Sequence, residues 1–406
     1  MELRPILSAM RRNKVGAIII AVQIAITLAI LCNALFIIEQ RIAWSERPTG
    51  ADESNIFVIN NQWVGNPPDL SARLQTDLAG LRAMPGVIDA FASNSYLLSN
   101  GGWSEGVDLS PDQKESTAVT ALYFADEHAL QSLGLKLIAG RNFESDEVAD
   151  KLGSNDQTPP ASVIITSALA EKLFPGKSAL GRSVFLQNAK HPVGIIGIVD
   201  RLQAPWVDPW AAKFSDNSTL EPFRFVDPSV HYIVRTQPGQ LRAVMKAAEK
   251  KLFDLNRGRV LEKTQSLTEA RVEAYRDDRG LAVILGVVCA ALVVVTAFGI
   301  VGLTSYWVAQ RRRQIGIRRA LGATRHAIVR YFQTENLLIA GAGAVIGVTL
   351  AVSLNLWMVT AFAMERLHPS YAFVGAIVML ILGQAAVLWP ALKAASIPPA
   401  LATRAA

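Results

Sequence analysis

Cysteine is nearly absent from this 406-residue sequence: Cys32 and Cys289 are the two, and both sit inside apolar runs. The 242 residues from 39 to 280 hold none, which excludes a disulfide framework there and suits an exported domain as well as a cytosolic one. Histidine is sparse too. His128, His191, His231, His326 and His368 are scattered without metal-ligand spacing, and neither HExxH nor GxSxG occurs, so the common zinc-hydrolase and serine-hydrolase signatures are excluded. Proline is missing from 239 to 368, so no ring interrupts a helix anywhere in that interval.

Charge is missing from four long runs. Val15–Ile38, Leu281–Val308, Asn336–Met364 and Ala372–Ala391 are charge-free over 24, 28, 29 and 20 residues. About 20 apolar residues in a helix cross the ~30 Å hydrocarbon core of a bilayer. The runs therefore predict four transmembrane helices, and a composition with 51% hydrophobic and only 18% charged residues excludes an all-soluble chain. The first run follows Arg4, Arg11, Arg12 and Lys14 as a signal peptide would, but it is too long for an h-region of about 7–15 residues. Leu31 is also too bulky for a lipoprotein cleavage site before Cys32. An uncleaved anchor is expected.

The net charge of +6 conceals a division. Residues 39–280 carry 26 Lys+Arg and 31 Asp+Glu, a net of −5, whereas all other residues carry 14 and 3, a net of +11. The basic flanks lie before the first run, between the second and third, and after the fourth, where Lys393 and Arg404 stand. Lys and Arg in short flanks mark the cytoplasmic side. Both termini are then cytoplasmic, and residues 39–280 and the short connection near Glu365 and Arg366 are outside.

The outer segment reads as α+β. Asn55–Asn60 alternates as a strand; Leu70, Leu74, Leu78 and Leu81 have helical spacing before Pro85-Gly86. "SVIITSALAEKLF" reads as a strand and a short helix, "HPVGIIGIVD" and "VHYIVRT" as strands, and "GQLRAVMKAAEKKLFDL" as a helix. Ser93–Ala121 and Arg201–Phe225, rich in Pro, Trp, Asn and Gly, are expected to be irregular loops. Ser266 and Glu269 have capping-box spacing, and one uninterrupted helix is expected from about Leu267 through Ala274 to Val308. It would be about 60 Å long, half of it a stalk outside the membrane. Leu3, Ile6, Leu7 and Met10 form the apolar stripe of an amphipathic helix able to lie on membrane lipid.

Two motifs imitate nucleotide sites. Gly176-Lys177-Ser178 ends like a phosphate-binding loop, but Glu171 stands where that loop needs glycine and a helix precedes it. Gly341–Gly347 resembles a dinucleotide fingerprint but lies inside a span, where Gly343 and Gly347 suit close helix packing. Glu335, at the inner end of the third span, reads as an interfacial or helix-terminal residue rather than a proton carrier.

Gln310–Arg330 holds seven arginines and no acid. It lacks the aromatic interleaving of a nucleic-acid surface. Arg311, Arg312 and Arg313 suit a topology anchor, since burying each arginine costs about 2.5–3.5 kcal/mol on insertion scales. The anchor does not need Ile315, Ile317, Ala320 and Leu321. With Gly322 as a helix-ending residue and Thr324 as an N-cap, the stretch reads as a short helix, a tight turn and a second helix entering the third span. A short helix with apolar and basic faces at a membrane surface suggests protein docking.

"RRRQIGIRRALGATRHAIVRYFQTENLLIAGAGAVIGV" resembles the R-x-x-E-I-G-[IL]-R-[KR]-A-L-G-A block of the MacB/FtsX-like permeases of ABC transporters, with Gln314 where glutamate is usual. "LKLIAGRNFESDE" and "SVIITSALAEKLFPGKSALGRSVFL" are similar to the MacB periplasmic core domain. The tail "PALKAASIPPALATR" resembles the family's ending, with Thr403 replacing leucine. The resemblance implies an α-helical protein of the bacterial inner membrane with four transmembrane helices and a large α+β extracytoplasmic domain between the first and second. The organisation would be cytoplasmic helix 1–14, spans at 15–38, 333–364 and 372–391, periplasmic domain 39–265, stalk and second span 266–308, coupling loop 309–332, and tail 392–406. Ile315, Gly316, Ile317, Arg318, Arg319, Ala320, Leu321, Gly322 and Ala323 would be the coupling helix that docks a cytoplasmic ABC ATPase dimer supplied in trans. ATP and Mg would sit on that ATPase, with no cofactor and no catalytic motif on this chain. A second permease, identical or paralogous, is implied, as are a periplasmic adaptor and an outer-membrane channel; nucleic acid is not. The function implied is coupling of ATP hydrolysis to movement of the periplasmic domain, for efflux of a peptide, antibiotic or similar substrate. Lipoprotein extraction or control of cell-wall hydrolases fits the same architecture, and a sensor without an ATPase is the remaining alternative.

Overall fold

The computed structural model describes residues 14–398 except 66, 112, 154–155, 157, 187–190 and 363–364. Residues 1–13 of the amphipathic helix expected over 1–14, and the tail beyond 398, fall outside the described residues. The first apolar run is helix α1 (Lys14–Glu46). The chain divides into two units, one from Ser45 to Asp277 and the other formed by the segments on either side of it.

The Ser45–Asp277 unit contains β1 (Ile56–Trp63), α2 (Leu70–Arg82), β2 (Val87–Ser93), β3 (Trp103–Asp108), β4 (Ala118–Phe124), α3 (Ala129–Leu133) and β5 (Leu137–Gly140). It continues with β6 (Ala149–Leu152), β7 (Ser162–Thr166), α4 (Ser167–Leu173), β8 (Ser183–Leu186) and β9 (Val193–Val199). It ends with β10 (Ser218–Glu221), β11 (Phe223–Val226), β12 (Ser229–Thr236), α5 (Leu241–Leu255), β13 (Arg259–Ser266) and α6 (Leu267–Ala274). One sheet has the order β13-β1-β12-β2 and is antiparallel throughout. Leu74, Leu78 and Leu81 of α2 and Val244, Ala248 and Leu252 of α5 share a core with its Phe57, Ile59, Tyr232 and Val234. The leucine spacing of α2 thus covers one sheet face, as helical periodicity requires. Across that core runs an ion pair: both Arg259 terminal nitrogens donate to Asp77, at 2.7 and 2.8 Å, and Tyr232 donates to the same carboxylate at 2.6 Å.

A second sheet has the order β5-β9-β7-β10-β4-β3-β8, and β8 also pairs with β9, so six of its strands close into a ring. Closure leaves the ring without free edges, and Val107, Val163, Ile165, Val184, Val193 and Ile195 fill its core. A parallel two-stranded ribbon, β6 with β11, completes the unit. Here the loop expectation is corrected. Ser93–Ala121 and Arg201–Phe225 contribute β3, the start of β4, β10 and much of β11. Partly buried Trp103 packs edge-on against the core residues Phe124 and Phe225, at 5.3 and 5.6 Å.

The other unit holds α7 (Arg276–Gln310), α8 (Arg312–Ala320), α9 (Arg325–Phe362) and α10 (Pro369–Ala395) together with most of α1. Among the described residues, α1, α7, α9 and α10 are the helices long and apolar enough to cross a membrane. Several polar groups inside them bond to neighbouring spans, which a hydrocarbon surrounding favours. The Thr27 and Thr296 hydroxyls lie 2.8 Å apart, Gln23 donates to the Val295 carbonyl at 3.1 Å, and Asn33 to that of Ala351 at 3.1 Å. Gly343 and Gly347 let α9 lie directly on α1: a Cβ on them would come within 2.7 Å of the Ala21 carbonyl oxygen and 3.0 Å of the Ala25 Cα.

The uninterrupted stalk is also corrected. The Ser266–Glu269 capping box forms, with both reciprocal bonds present, and starts α6. The helix then breaks at Tyr275, directly after Ala274, where φ is −99° and ψ is 17°. Tyr275 is fully buried, and its hydroxyl accepts from Arg47 Nε and Gln203 Nε2, each at 3.3 Å. α6 is fixed to its own domain rather than extending α7. Arg271 donates to the Ser45 and Arg47 carbonyls, at 2.5 and 3.0 Å, and to Glu53 at 2.7 Å. No proline or glycine marks this break, because its cause is the tertiary seat of Tyr275.

Candidate functional site

The basic stretch folds as two helices at an angle set by a tight turn. Arg311 alone separates α7 from α8, with φ −94° and ψ 10°. α8 ends at Leu321, and Gly322 takes a positive φ of 97°. The Gly322 N–H donates to Arg319 O at 3.1 Å and the Ala323 N–H to Arg318 O at 3.0 Å, the paired bonds of a Schellman ending. The Thr324 hydroxyl accepts from the Ala327 N–H at 3.1 Å and caps α9. The turn is thus a consequence of local residue types.

The nine residues from Ile315 to Ala323 do not share one face. Ile315 and Gly316 are buried, and Ile315 belongs to the span unit's own core with Ile328 and Phe332. Arg319 is half-buried and donates to the Ile397 carbonyl at 2.7 Å, while Ala323 packs at the core's edge. Arg318 places its guanidinium 5.0 Å from the Tyr331 ring centre. The outward face carries Ile317, Ala320, Leu321 and Gly322, with Arg312 and Arg313 nearby. Leu321 is 84% exposed and Ile317 47%. Within this chain the nine expected docking residues thus divide between a buried and an exposed face. Ile315 and Gly316 hold the helix in place, and the free apolar surface is the Ile317–Leu321 pair, one turn apart.

Arg311 also makes a buried ion pair. Its Nη1 donates to both oxygens of Glu335, at 3.0 and 2.8 Å, and the two side chains are 12% and 3% exposed. The Glu335 carboxylate is thus paired and buried. Arg312 and Arg313 remain exposed and free to meet an aqueous or headgroup surface. The Glu335 pairing was missed in the sequence, although an acid within a span requires a cation at its depth.

This geometry offers a handle rather than a reaction centre: a short cationic helix, fixed along one face, with an apolar pair on the other. Comparison with known proteins places it in context. Residues 15–251, more than half of the chain, match the model of the MacB-like periplasmic core domain, and residues 286–399 match that of the FtsX-like permease C-terminal region. The pyoverdine export ATP-binding/permease protein PvdT of Pseudomonas putida is 27% identical over 261 residues, covering 61% of this chain and 38% of that protein. The macrolide export ATP-binding/permease protein MacB of Neisseria meningitidis serogroup B is 28% identical over 324 residues, covering 76% of this chain and 47% of that one. The uncharacterized ABC transporter permease YvrN of Bacillus subtilis is 23% identical over 300 residues, covering 70% and 69%. The chain spans less than half the length of the two export proteins. It belongs to the MacB/FtsX-like family of ABC transporter permeases, as a multi-pass protein of the bacterial inner membrane with its large α+β domain in the periplasm.

Proposed function

We propose that this chain couples ATP hydrolysis on a separate cytoplasmic ABC ATPase dimer to movements of its periplasmic domain, and that it exports a peptide, antibiotic or similar substrate. With the domain in the periplasm, α7 delivers α8 to the cytoplasmic face. One observation carries the reading: Ile317 and Leu321 stand exposed, one turn apart, on a helix whose opposite face is fixed. An apolar pair held out on a cationic helix at the membrane surface is suited to a partner's groove. YvrN, a relative of comparable length, is named as an ABC transporter permease, which supports a permease role for this chain. A second permease would complete the membrane unit, and a periplasmic adaptor with an outer-membrane channel would receive the substrate.

The test is co-purification of the ATPase from native membranes with the wild type and with an I317D/L321D variant. Burying a large aliphatic side chain contributes about 1.5–3 kcal/mol, so losing both lowers affinity by roughly a hundredfold or more. Recruitment should be lost while membrane insertion stays intact. Undiminished recruitment refutes docking through α8.

A further inference from the structure

Three features of the span unit bear on how a push on α8 travels. α8 and the Arg311 that precedes it are fastened to α9 by side chains at successive turns. Arg311 pairs with Glu335, Arg318 covers Tyr331, and Ile315 shares a core with Ile328 and Phe332. On α9 these positions follow one another at three- and four-residue steps, a single stripe of the helix surface. α8 is also tied by Arg319 to the carbonyl of Ile397, just beyond α10. α7, by contrast, reaches α8 through one non-helical residue, and its polar ties run to α1 through Thr296 and Val295. Much of its surface is open, including Val283, Ile284, Val287, Val295 and Phe298.

We infer that α8, α9 and α10 move as one body, locked by the buried Arg311–Glu335 pair, with Arg311 as the hinge against α7. Arg311 and Glu335 are positioning residues of the transmission path. Displacement of the Ile317–Leu321 face is then delivered first to α9 and α10, and α7 follows through its tether at Arg311. The pair suits this role because a buried carboxylate that loses its cation is left uncompensated in a dry setting, so the joint resists opening. The inference rests on the proposed docking of an ATPase at α8.

The experiment uses the full chain with its co-purified ATPase in lipid nanodiscs, on a C32A/C289A background. Spin labels are placed at R312C on α8, L356C near the other end of α9 and V283C on α7, and distances are read without nucleotide and with ATP-Mg trapped by vanadate. The 312–356 distance should stay fixed while the 283–356 distance shifts. A change in 312–356 as large as that in 283–356 overturns the inference. In E335Q, ATP hydrolysis should remain within about twofold of wild type while the 312–356 distribution broadens and the nucleotide-dependent 283–356 shift is lost. The charge-reversed pair R311E/E335R should restore both. If E335Q lowers recovery of folded protein, the wild-type distances still decide. A narrow 312–356 distribution in E335Q, with the shift retained, equally overturns the lock. Failure of ATPase docking would show separately, as undiminished recruitment in I317D/L321D.

Discussion

Replacing Glu221 with glutamine should make the periplasmic domain more stable at alkaline pH while leaving it unchanged in acid. Glu221 ends β10 and Glu105 lies on β3; they are 3% and 6% exposed. Lys151 of β6 is the cation beside them, itself buried, with its Nζ 4.3 Å from the Phe223 ring centre and donating to the Thr158 carbonyl at 3.0 Å. Both carboxyls feel the attraction of this one ammonium. Burial pushes both carboxyls up, Glu105 well above the usual range, with its neighbour Glu221 raising it further, and Glu221 to about 7 against the attraction of Lys151. An acid whose folded pKa is raised contributes stability that is fully present below the unfolded value, 4.5, and lost as pH rises through about 7. The shift corresponds to about 3 kcal/mol. His231 works in the opposite direction. Burial lowers it to about 4, so its contribution is present above 6.5 and lost as pH falls through 4. The assay is thermal unfolding of the full chain in detergent, followed by tryptophan fluorescence, to which Trp103 beside Phe124 contributes. At about 2–4 °C per kcal/mol for a domain of this size, the variant's melting temperature should exceed the wild type's by roughly 6–12 °C at pH 8. The two should coincide at pH 4.5. Parallel profiles across that range refute a buried, titrating Glu221.

Two further outcomes follow from packing. Arg259→Met leaves the Asp77 carboxylate buried without its cation and should cost about 3–5 kcal/mol, read as a lower denaturation midpoint of the periplasmic domain. Gly347→Leu places side-chain atoms where a Cβ alone would already lie 3.0 Å from the Ala25 Cα, so α1 and α9 should separate; the measurement is thermal stability of the membrane unit in detergent.

Several features were legible because they are decided within a few residues of chain. The four spans follow from charge-free length, and the turn at Gly322 from a glycine able to take φ 97°. The capping box at Ser266 and Glu269 is equally local. The strands in the presumed loops were not legible. Trp103, Glu105 and Glu221 lie in segments whose composition suggests turns, and only pairing with β4 and β7 makes strands of them. β13 was hidden for a related reason: its "RVLEKTQS" is too polar to advertise a strand until β1 pairs with it.

The sequence by itself determined the membrane architecture, its orientation and the presence of a short basic helix between the second and third spans. Hydrocarbon thickness, the cost of moving arginine across it and helix termination all act on local composition. Only the tertiary structure decided which side of that helix is free. Ile315 and Ile317 are both isoleucines two positions apart, yet one is 5% exposed and the other 47%, because α9 covers one face of α8 and nothing in this chain covers the other among the described residues. The same holds for Glu335, whose partner is 24 positions away, and for Tyr275, whose burial interrupts a helix that nothing in its own sequence would stop.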